Sequence, residues 1–248
     1  MTPLHALAVA AAGVFAGAIN TLVGSGTLVT FPTLLAIGLG PVVANTSNTV
    51  GLVVGSVSGA IGYRRELAGQ RDRLLRLGAA SVVGGLVGGV LLLQLPSSAF
   101  EAVVPVLVGI ACVLVLVQPR IAARARARGG RREGGPLLTT GVLASGVYGG
   151  YFGAAQGVLL LGMMGSLLDE SLQRINATKN VLAALVNGTA AVLFMVTAPI
   201  DWSVAGILAV GSAVGGTLGG RYGRRLPAGA LRVLVFVVGV IAIVELVT

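Results

Sequence analysis

Two short runs of glycine, hydroxyl and amide residues interrupt an otherwise apolar chain: Gly24-Ser25-Gly26-Thr27 and Gly153-Ala154-Ala155-Gln156-Gly157. Each is followed downstream by a second polar run, Asn45-Thr46-Ser47-Asn48 and Asn176-Ala177-Thr178-Lys179-Asn180. The chemistry on offer is neutral hydrogen bonding. A glycine break starts a new helix, and a helix start presents free N–H groups and about half a positive charge, which favour an anion. Ser25, Thr27 and Gln156 add uncharged donors, so two facing helix starts could cradle an oxyanion. Other chemistries lack their parts. The carboxylates Glu66, Asp72, Glu101, Glu133, Asp169, Glu170, Asp201 and Glu245 all fall in loops or near the ends of apolar runs. Cys112 stands alone, and no spacing fits a metal, a nucleophile–base pair or a cofactor. The expectation is a protein that is not an enzyme and needs no cofactor or metal.

The two sets of polar runs form a repeat. Gly26 and Gly157 stand 131 residues apart, and Asn48 and Asn180 stand 132 apart. A glycine-broken apolar segment at matching places in two halves points to the binding site of a secondary transporter. Composition agrees. Of the 248 residues 55% are hydrophobic and 10% charged, and mean hydropathy is +0.96. Soluble domains carry about 25% charged residues, so lipid is the expected surroundings. The net charge of +9 sits in arginine-rich connections, where it orients membrane spans and gives no sign of nucleic acid.

A membrane crossing takes about 20 apolar residues. Candidates are 42–63, 74–95, 99–118, 175–198, 202–221 and 229–247. Segments 4–38 and 137–168 are too long for one helix, and each is broken by a glycine motif. Each is one tilted helix with a tail, or two short helices meeting at the break. Loop charge favours the second. Loops 64–76, 119–136 and 221–228 hold most of the arginines and belong on the cytoplasmic side. Only a hairpin at 137–168, entering and leaving on one side, keeps the last two of them together. By the repeat, 4–38 is a hairpin entered from the opposite side. The expected fold is all-α and integral to the membrane, with two inverted-topology repeats, each a glycine-broken hairpin plus three transmembrane helices. The first repeat is 1–118, the basic cytoplasmic linker 119–136 and the second repeat 137–248. Both hairpin tips should meet inside the protein, because irregular backbone cannot face lipid.

The substrate-binding candidates are Gly24, Ser25, Gly26, Thr27, Asn45, Thr46, Asn48, Gly153, Gln156, Gly157, Asn176, Thr178, Lys179 and Asn180. Each has a plainer alternative. The glycines could permit close helix packing, and the amides and hydroxyls could cap helices or bond between them. Lys179, the only lysine, is a substrate-attracting charge at a cavity mouth, or an orientation signal snorkelling to the interface. Glycines 84, 85, 88, 89, 211, 215, 216, 219 and 220 fit helix packing.

At these residues the chain resembles the sulfite exporter TauE/SafE family of membrane permeases. The likeness rests on Gly24-Ser25-Gly26-Thr27, Phe31-Pro32 and Ala44-Asn45-Thr46-Ser47-Asn48. It rests equally on Gly149-Gly150-Tyr151-Phe152-Gly153-Ala154-Ala155-Gln156-Gly157 and Asn176-Ala177-Thr178-Lys179-Asn180. It runs from about residue 5 to 247. The resemblance implies transport of small anions such as sulfite, sulfonates or related organic acids, often outward. It places the chain, multi-pass, in the cell inner (plasma) membrane, with the lipid bilayer and a small anionic substrate as partners. Ser25 and Ala154-Ala155-Gln156 stand where family members commonly carry more glycine. An anion channel or importer, or a membrane scaffold without a solute, are the competing readings. Oligomeric state is not encoded.

Overall fold

A computed structural model describes residues 1–127, 135–222 and positions 233, 236, 237 and 240. The expected span 229–247 and the parts of the basic loops beyond residues 127 and 222 lie outside the described residues. The described residues contain α-helices, one 3-10 turn at Arg64–Leu67 and no strand extending beyond a single bridge position. The helices are α1 (Pro3–Leu22), α2 (Thr27–Ala36), α3 (Pro41–Gly62), α4 (Arg71–Gln94), α5 (Ser97–Ala127), α6 (Gly135–Tyr151), α7 (Gln156–Leu167), α8 (Leu172–Thr197) and α9 (Trp202–Tyr222). Within them, Pro3–Leu22, Arg71–Gln94, Ser97–Val117, Leu172–Thr197 and Trp202–Tyr222 are long and apolar enough to cross a membrane. Exposed valines and leucines on α4, α5 and α9 present the apolar surface that lipid requires.

Both glycine motifs break a helix, as expected, but the arms are unequal. α1 runs for 20 residues, roughly 30 Å at 1.5 Å per residue, and α2 for only 10. The first hairpin is therefore a long arm and a short one, not two short helices. The long arm packs along α9, where Gly13 and Gly17 meet Gly211 and Gly216, and it runs on to Leu22. In the second hairpin, Gly149 lies against Gln156 and Gly141 against Met163. Such pairing, moving outward along both arms together, makes α6 and α7 antiparallel. α5 continues to Ala127, beyond the expected end at 118, so the start of the basic stretch is helical.

Packing repeats between the halves. On α4, Gly84 faces Leu143 and Gly146 of α6, and Gly88 faces Val147 and Tyr151. On α9, Gly211 faces Ala10 and Gly13 of α1, and Gly215 faces Val14 and Ala18. In each pair the contacts advance in the same direction, so α4 runs parallel to α6 and α9 parallel to α1. A Cβ on Gly88 would lie 2.0 Å from the Val147 carbonyl oxygen, and one on Gly215 would lie 1.9 Å from that of Val14. These glycines exist to let backbones touch, the usual basis of helix association where lipid removes the hydrophobic drive.

α3 and α8 pack antiparallel across the centre. Their neighbours are Ser56 with Asn187, Thr46 with Pro199 just past α8, and Thr178 with Gln70 just before α4. Ser56 and Asn187 stand 131 apart, the same offset as the glycine motifs.

Gly88→Ala should therefore force α4 from α6 and lower thermal stability in detergent, by about 1–3 kcal/mol. Gly206→Ala, in open space on α9, should leave stability equal or raise it by about 0.5–1 kcal/mol. Equal stabilities for the two variants in a thermal-unfolding series would contradict this packing.

Candidate functional site

The two hairpin tips touch. The Gly157 N–H donates to the Gly24 carbonyl at 3.1 Å. A Cβ on Gly24 would lie 2.4 Å from the Gly157 Cα, and one on Gly157 equally close to the Gly24 Cα. Gly24 also needs its φ of +85°, a left-handed value glycine adopts without strain. Its counterpart by the 131 offset is Ala155, at φ 59°, the one non-glycine in that region among the described residues. The turn that ends the long arm is made by glycine in both halves, Gly24 donating to the Ile19 carbonyl and Gly153, at φ +78°, to that of Tyr148, and Ala155 adds a second left-handed residue at the start of α7. Tyr148 helps hold the second turn by donating its hydroxyl to the Ala154 carbonyl. Phe31, just past the first tip, packs edge-on against Phe152 of the second, with ring centroids 5.2 Å apart.

The opposite half clasps each tip from behind. Asn45 on α3 donates Nδ2 to the Tyr151 carbonyl at 3.0 Å, at the end of α6. Asn176 on α8 donates Nδ2 to the Thr21 carbonyl at 3.2 Å, at the end of α1. Lys179 joins Asn176, giving Nζ to the carbonyls of Asn20 at 2.9 Å and Thr21 at 3.1 Å. A broken helix ends in unpaired carbonyls, and a cation suits that negative end. Lys179 is 1% exposed, so it does not snorkel to an interface. Its chain passes beside Gly157, where an added Cβ would lie 3.1 Å from the Lys179 Cδ. The crossing therefore holds a buried lysine at its centre, not at the cavity mouth or the interface that the sequence suggests.

Several candidate residues are already engaged within the protein. Asn48 bonds both Thr27 and Thr30 of α2. Thr46 donates to the Pro199 carbonyl at 2.7 Å, and Thr178 to the Gln70 Oε1 at 3.0 Å. The first amides of α7 are also spoken for. Gln156 N–H bonds Gly153, Val158 N–H bonds Ala155, and Gly157 N–H bonds Gly24. The open helix start expected after Gly157 is closed by the other tip. Gly26 packs against Ala16, whose carbonyl oxygen a Cβ would approach to 2.6 Å. Gly153 takes φ +78° at the end of α6.

What stays open is a set of side-chain atoms. Ser25 Oγ, Gln156 Nε2 and Asn180 Nδ2 are buried donors without a partner, and Asn45 Oδ1 and Asn176 Oδ1 are buried acceptors without one; the hydroxyls of Ser81 on α4 and Ser145 on α6, away from the tips, are unpartnered too. Ser25 and Gln156 are equivalent residues of the two tips, 131 apart. Buried polar atoms are nearly always paired, and an unpaired one costs about 1–3 kcal/mol.

Sequence reasoning missed Asn20, Ser56 and Asn187, which meet at the centre. Asn20 Nδ2 and Asn187 Nδ2 each donate to Ser56 Oγ at 3.2 Å. The signal was present in the 131 offset between Ser56 and Asn187. It also missed Gln70, Arg73, Glu170 and Arg174, which tie connection 66–73 to 170–178. Burial alone would favour the neutral Glu170 acid, but hydrogen bonds and charge from Arg73 and Arg174 outweigh it and hold the carboxyl below its ordinary range. Among the described residues no cluster could hold a metal.

The profile of the family described as "Sulfite exporter TauE/SafE" matches residues 9–246. The chain belongs to that family. It is 28% identical over 207 residues to the "Probable membrane transporter protein YfcA" of Escherichia coli K12, covering 83% of this chain and 76% of that one. A "Probable membrane transporter protein" of Haemophilus influenzae is 25% identical over 212 residues, 84% of this chain and 81% of the relative. The "Probable membrane transporter protein ORF9" of a Sinorhizobium species is 23% identical over 237 residues, 95% and 89% of the two chains. This TauE/SafE protein is a multi-pass membrane transporter.

Lys179→Met keeps the length of the side chain but removes both bonds to the end of α1. It should destabilise the protein by about 1–3 kcal/mol, because the Asn20 carbonyl loses its donor and the Thr21 carbonyl is left with Asn176 alone. Unfolding in detergent checks this; unchanged stability would mean that α1 needs no cap there.

Proposed function

We propose that this TauE/SafE transporter carries a small oxyanion, of the sulfite, sulfonate or related organic-acid kind, between its two hairpin tips, and that the usual direction is export. The observation that carries the reading is the set of unpartnered donors, Ser25 Oγ, Gln156 Nε2 and Asn180 Nδ2, on the two tips and beside Lys179. A folded protein keeps buried donors unpaired where a ligand completes them. A compact oxyanion offers several lone pairs to hydroxyl, amide and ammonium donors at once, and Lys179 supplies the opposite charge. Gly24, Gly26, Gly153 and Gly157 shape the tips. Thr27, Asn45, Thr46, Asn48, Asn176 and Thr178 hold the surrounding helices in place, with the Asn45 and Asn176 oxygens left to face the solute's hydration.

The same reading includes an inverted-topology pair of repeats. α3 and α8 are equivalent by sequence and antiparallel by contact. A two-fold that relates antiparallel helices lies perpendicular to them, and for helices crossing a bilayer that axis lies in its plane. Loops 64–70 and 168–171 then share the cytoplasmic face of the inner membrane, and loops 37–40 and 198–201 the outer one. Impermeant-thiol labelling of single cysteines at positions 67, 169, 39 and 198, on a Cys112→Ala background, should label the first two from inside and the last two from outside. A split between 67 and 169 would end the inverted-repeat reading.

Gln156→Leu and Ser25→Ala test the site. Each deletes an unpartnered donor, so stability should hold or rise, while sulfite flux in proteoliposomes should fall by about tenfold or more per lost charged-ligand hydrogen bond. Flux at the parental rate in both folded variants would overturn the reading. With no mid-span carboxylate to carry a proton, flux of a net anion should follow voltage by about 2.3 kcal/mol per charge per 100 mV. Under a potassium–valinomycin clamp, flux that tracks only the pH gradient would refute uncoupled anion movement.

A further inference from the structure

Burial falls off in steps outward from Lys179. Its neighbour Thr178 is fully buried and donates Oγ1 to Gln70 Oε1 at 3.0 Å. Gln70 is 3% exposed and lies across this end of the site. Its Nε2 donates to the carbonyls of Glu66 at 2.8 Å and Arg174 at 3.4 Å, and its Oε1 also accepts from Arg73 Nη1 at 2.9 Å. Beyond Gln70 comes Glu170, whose side chain is 20% exposed. It joins Arg73 at 2.9 Å and Arg174 at 2.7 Å. Arg174 then donates Nη1 to the Ala68 carbonyl at 3.0 Å. Every one of these layers is polar, and four of its bonds run between residues 66–73 and 170–178.

The equivalent junction in the other direction is built differently. Thr46 bonds the Pro199 carbonyl, and Ser47, the counterpart of Thr178 by the 131 offset, accepts from the Asp201 N–H at 2.9 Å. Asp201, the one charged residue of loops 37–40 and 198–201, is occupied in accepting from the Val204 N–H at 3.0 Å. Ile37, Leu39, Ala198 and Ile200 pack there against the apolar core. One end of the site is thus closed by apolar packing and neutral bonds, the other by ions at the edge of water.

We infer that Gln70, Arg73, Glu170 and Arg174 form an ionic gate that closes one side of the site, with Thr178 as the link to the site and, among the described residues, without an ionic counterpart on the other side. This rests on the transport reading, which requires the occluded tips to open. A closure that opens repeatedly needs contacts that water can replace. Partly exposed ion pairs meet that need because solvent recovers most of what their separation loses. Salt screens them, the Debye length falling from about 10 Å at 0.1 M to about 3 Å at 1 M, whereas it does not weaken the apolar closure opposite. The two ends of the site should therefore respond differently to ionic strength.

The reporter is Ser25→Cys on the Cys112→Ala background. Ser25 is fully buried at the first tip, and its Oγ has no bond to lose. Vesicles are treated with an impermeant methanethiosulfonate from each face, and the gate face is the one from which a cysteine at 67 is labelled. Adding Glu170→Gln, which removes both ion pairs, should speed labelling of the reporter from the gate face by about tenfold. It should not speed labelling from the other face. Raising salt to about 1 M should speed gate-face labelling of the parental reporter and add little in the Glu170→Gln variant. Unchanged gate-face labelling in Glu170→Gln, or an equal rise from both faces, would overturn the gate. Should that variant not insert, the parental salt series decides alone: no one-sided salt effect sinks the proposal. The labelling needs no solute. A one-sided rise in a protein that moves no sulfite or sulfonate would keep the gate and remove the anion assignment.

Discussion

The contact on which this protein turns is the meeting of Gly24 with Gly157. Two backbones bond directly, N–H to carbonyl at 3.1 Å, at a spot where either residue's Cβ would be 2.4 Å from the other's Cα. In lipid a broken helix is a liability, since its freed amides and carbonyls have no water to bond. Here each tip relieves the other. The second tip's N–H finds the first tip's carbonyl, and the carbonyls at the end of each long arm find amide or ammonium donors on the opposite half. Neither half could satisfy its own break, so the break and the second half require each other.

That dependence explains the distribution of small residues elsewhere. If α1 and α6 are to carry their tips to a common point, they must lie very close to α9 and α4. Gly211 and Gly215 on α9 and Gly84 and Gly88 on α4 let this happen by removing the side chains at the contact. The apolar residues of these helices then face outward to lipid, which is why the interior of a chain so rich in valine and leucine is lined at its centre by Asn20, Ser56, Asn187, Ser25 and Gln156. The core is polar where the hairpins meet and apolar around them, in the large cluster that holds Phe31, Phe100 and Phe152.

Much of this could be read in the sequence because it obeys local rules. Helix breaks at Gly24–Gly26 and Gly153–Ala155 follow from glycine in an apolar run, and α3, α4, α8 and α9 follow from the length of apolar stretch between arginine-rich or proline-containing turns. The meeting of the tips followed from what lipid forbids. The arms' lengths did not follow, since α1 continues to Leu22 by virtue of its packing on α9, a tertiary contact with no local mark. Lys179 was misjudged for a related reason. From sequence it stands one turn inside a span, within reach of an interface. In the fold, the carbonyls of Asn20 and Thr21 lie within its reach and hold it inside. Likewise the first amides of α7 look free until the other tip arrives to use one. In each case the error is a contact between residues more than 130 positions apart.

The two halves keep one backbone but differ in charge, and the difference bears on mechanism. Equivalent positions 48 and 179 are asparagine and lysine, and equivalent junctions are closed by Asp201 as a helix cap on one side and by Arg73, Glu170 and Arg174 on the other. A perfectly symmetric pair of repeats would present the solute with the same site from either face, and the two closed forms would be equal in energy. Lys179 stands where Asn48 stands in the first half, and it reaches the end of α1, which enters from that half. Opening on the Glu170 side must move α8 relative to the 66–73 connection, and Lys179 travels with α8 while its carbonyl partners belong to α1. Arg174 at the rim and Lys179 at the centre are thus carried by one helix. On the proposed reading, substrate charge at Lys179 and ionic strength at the Glu170–Arg174 pair act on the same helix, so an anion that competes for the Lys179 donors bears directly on how firmly that helix is held.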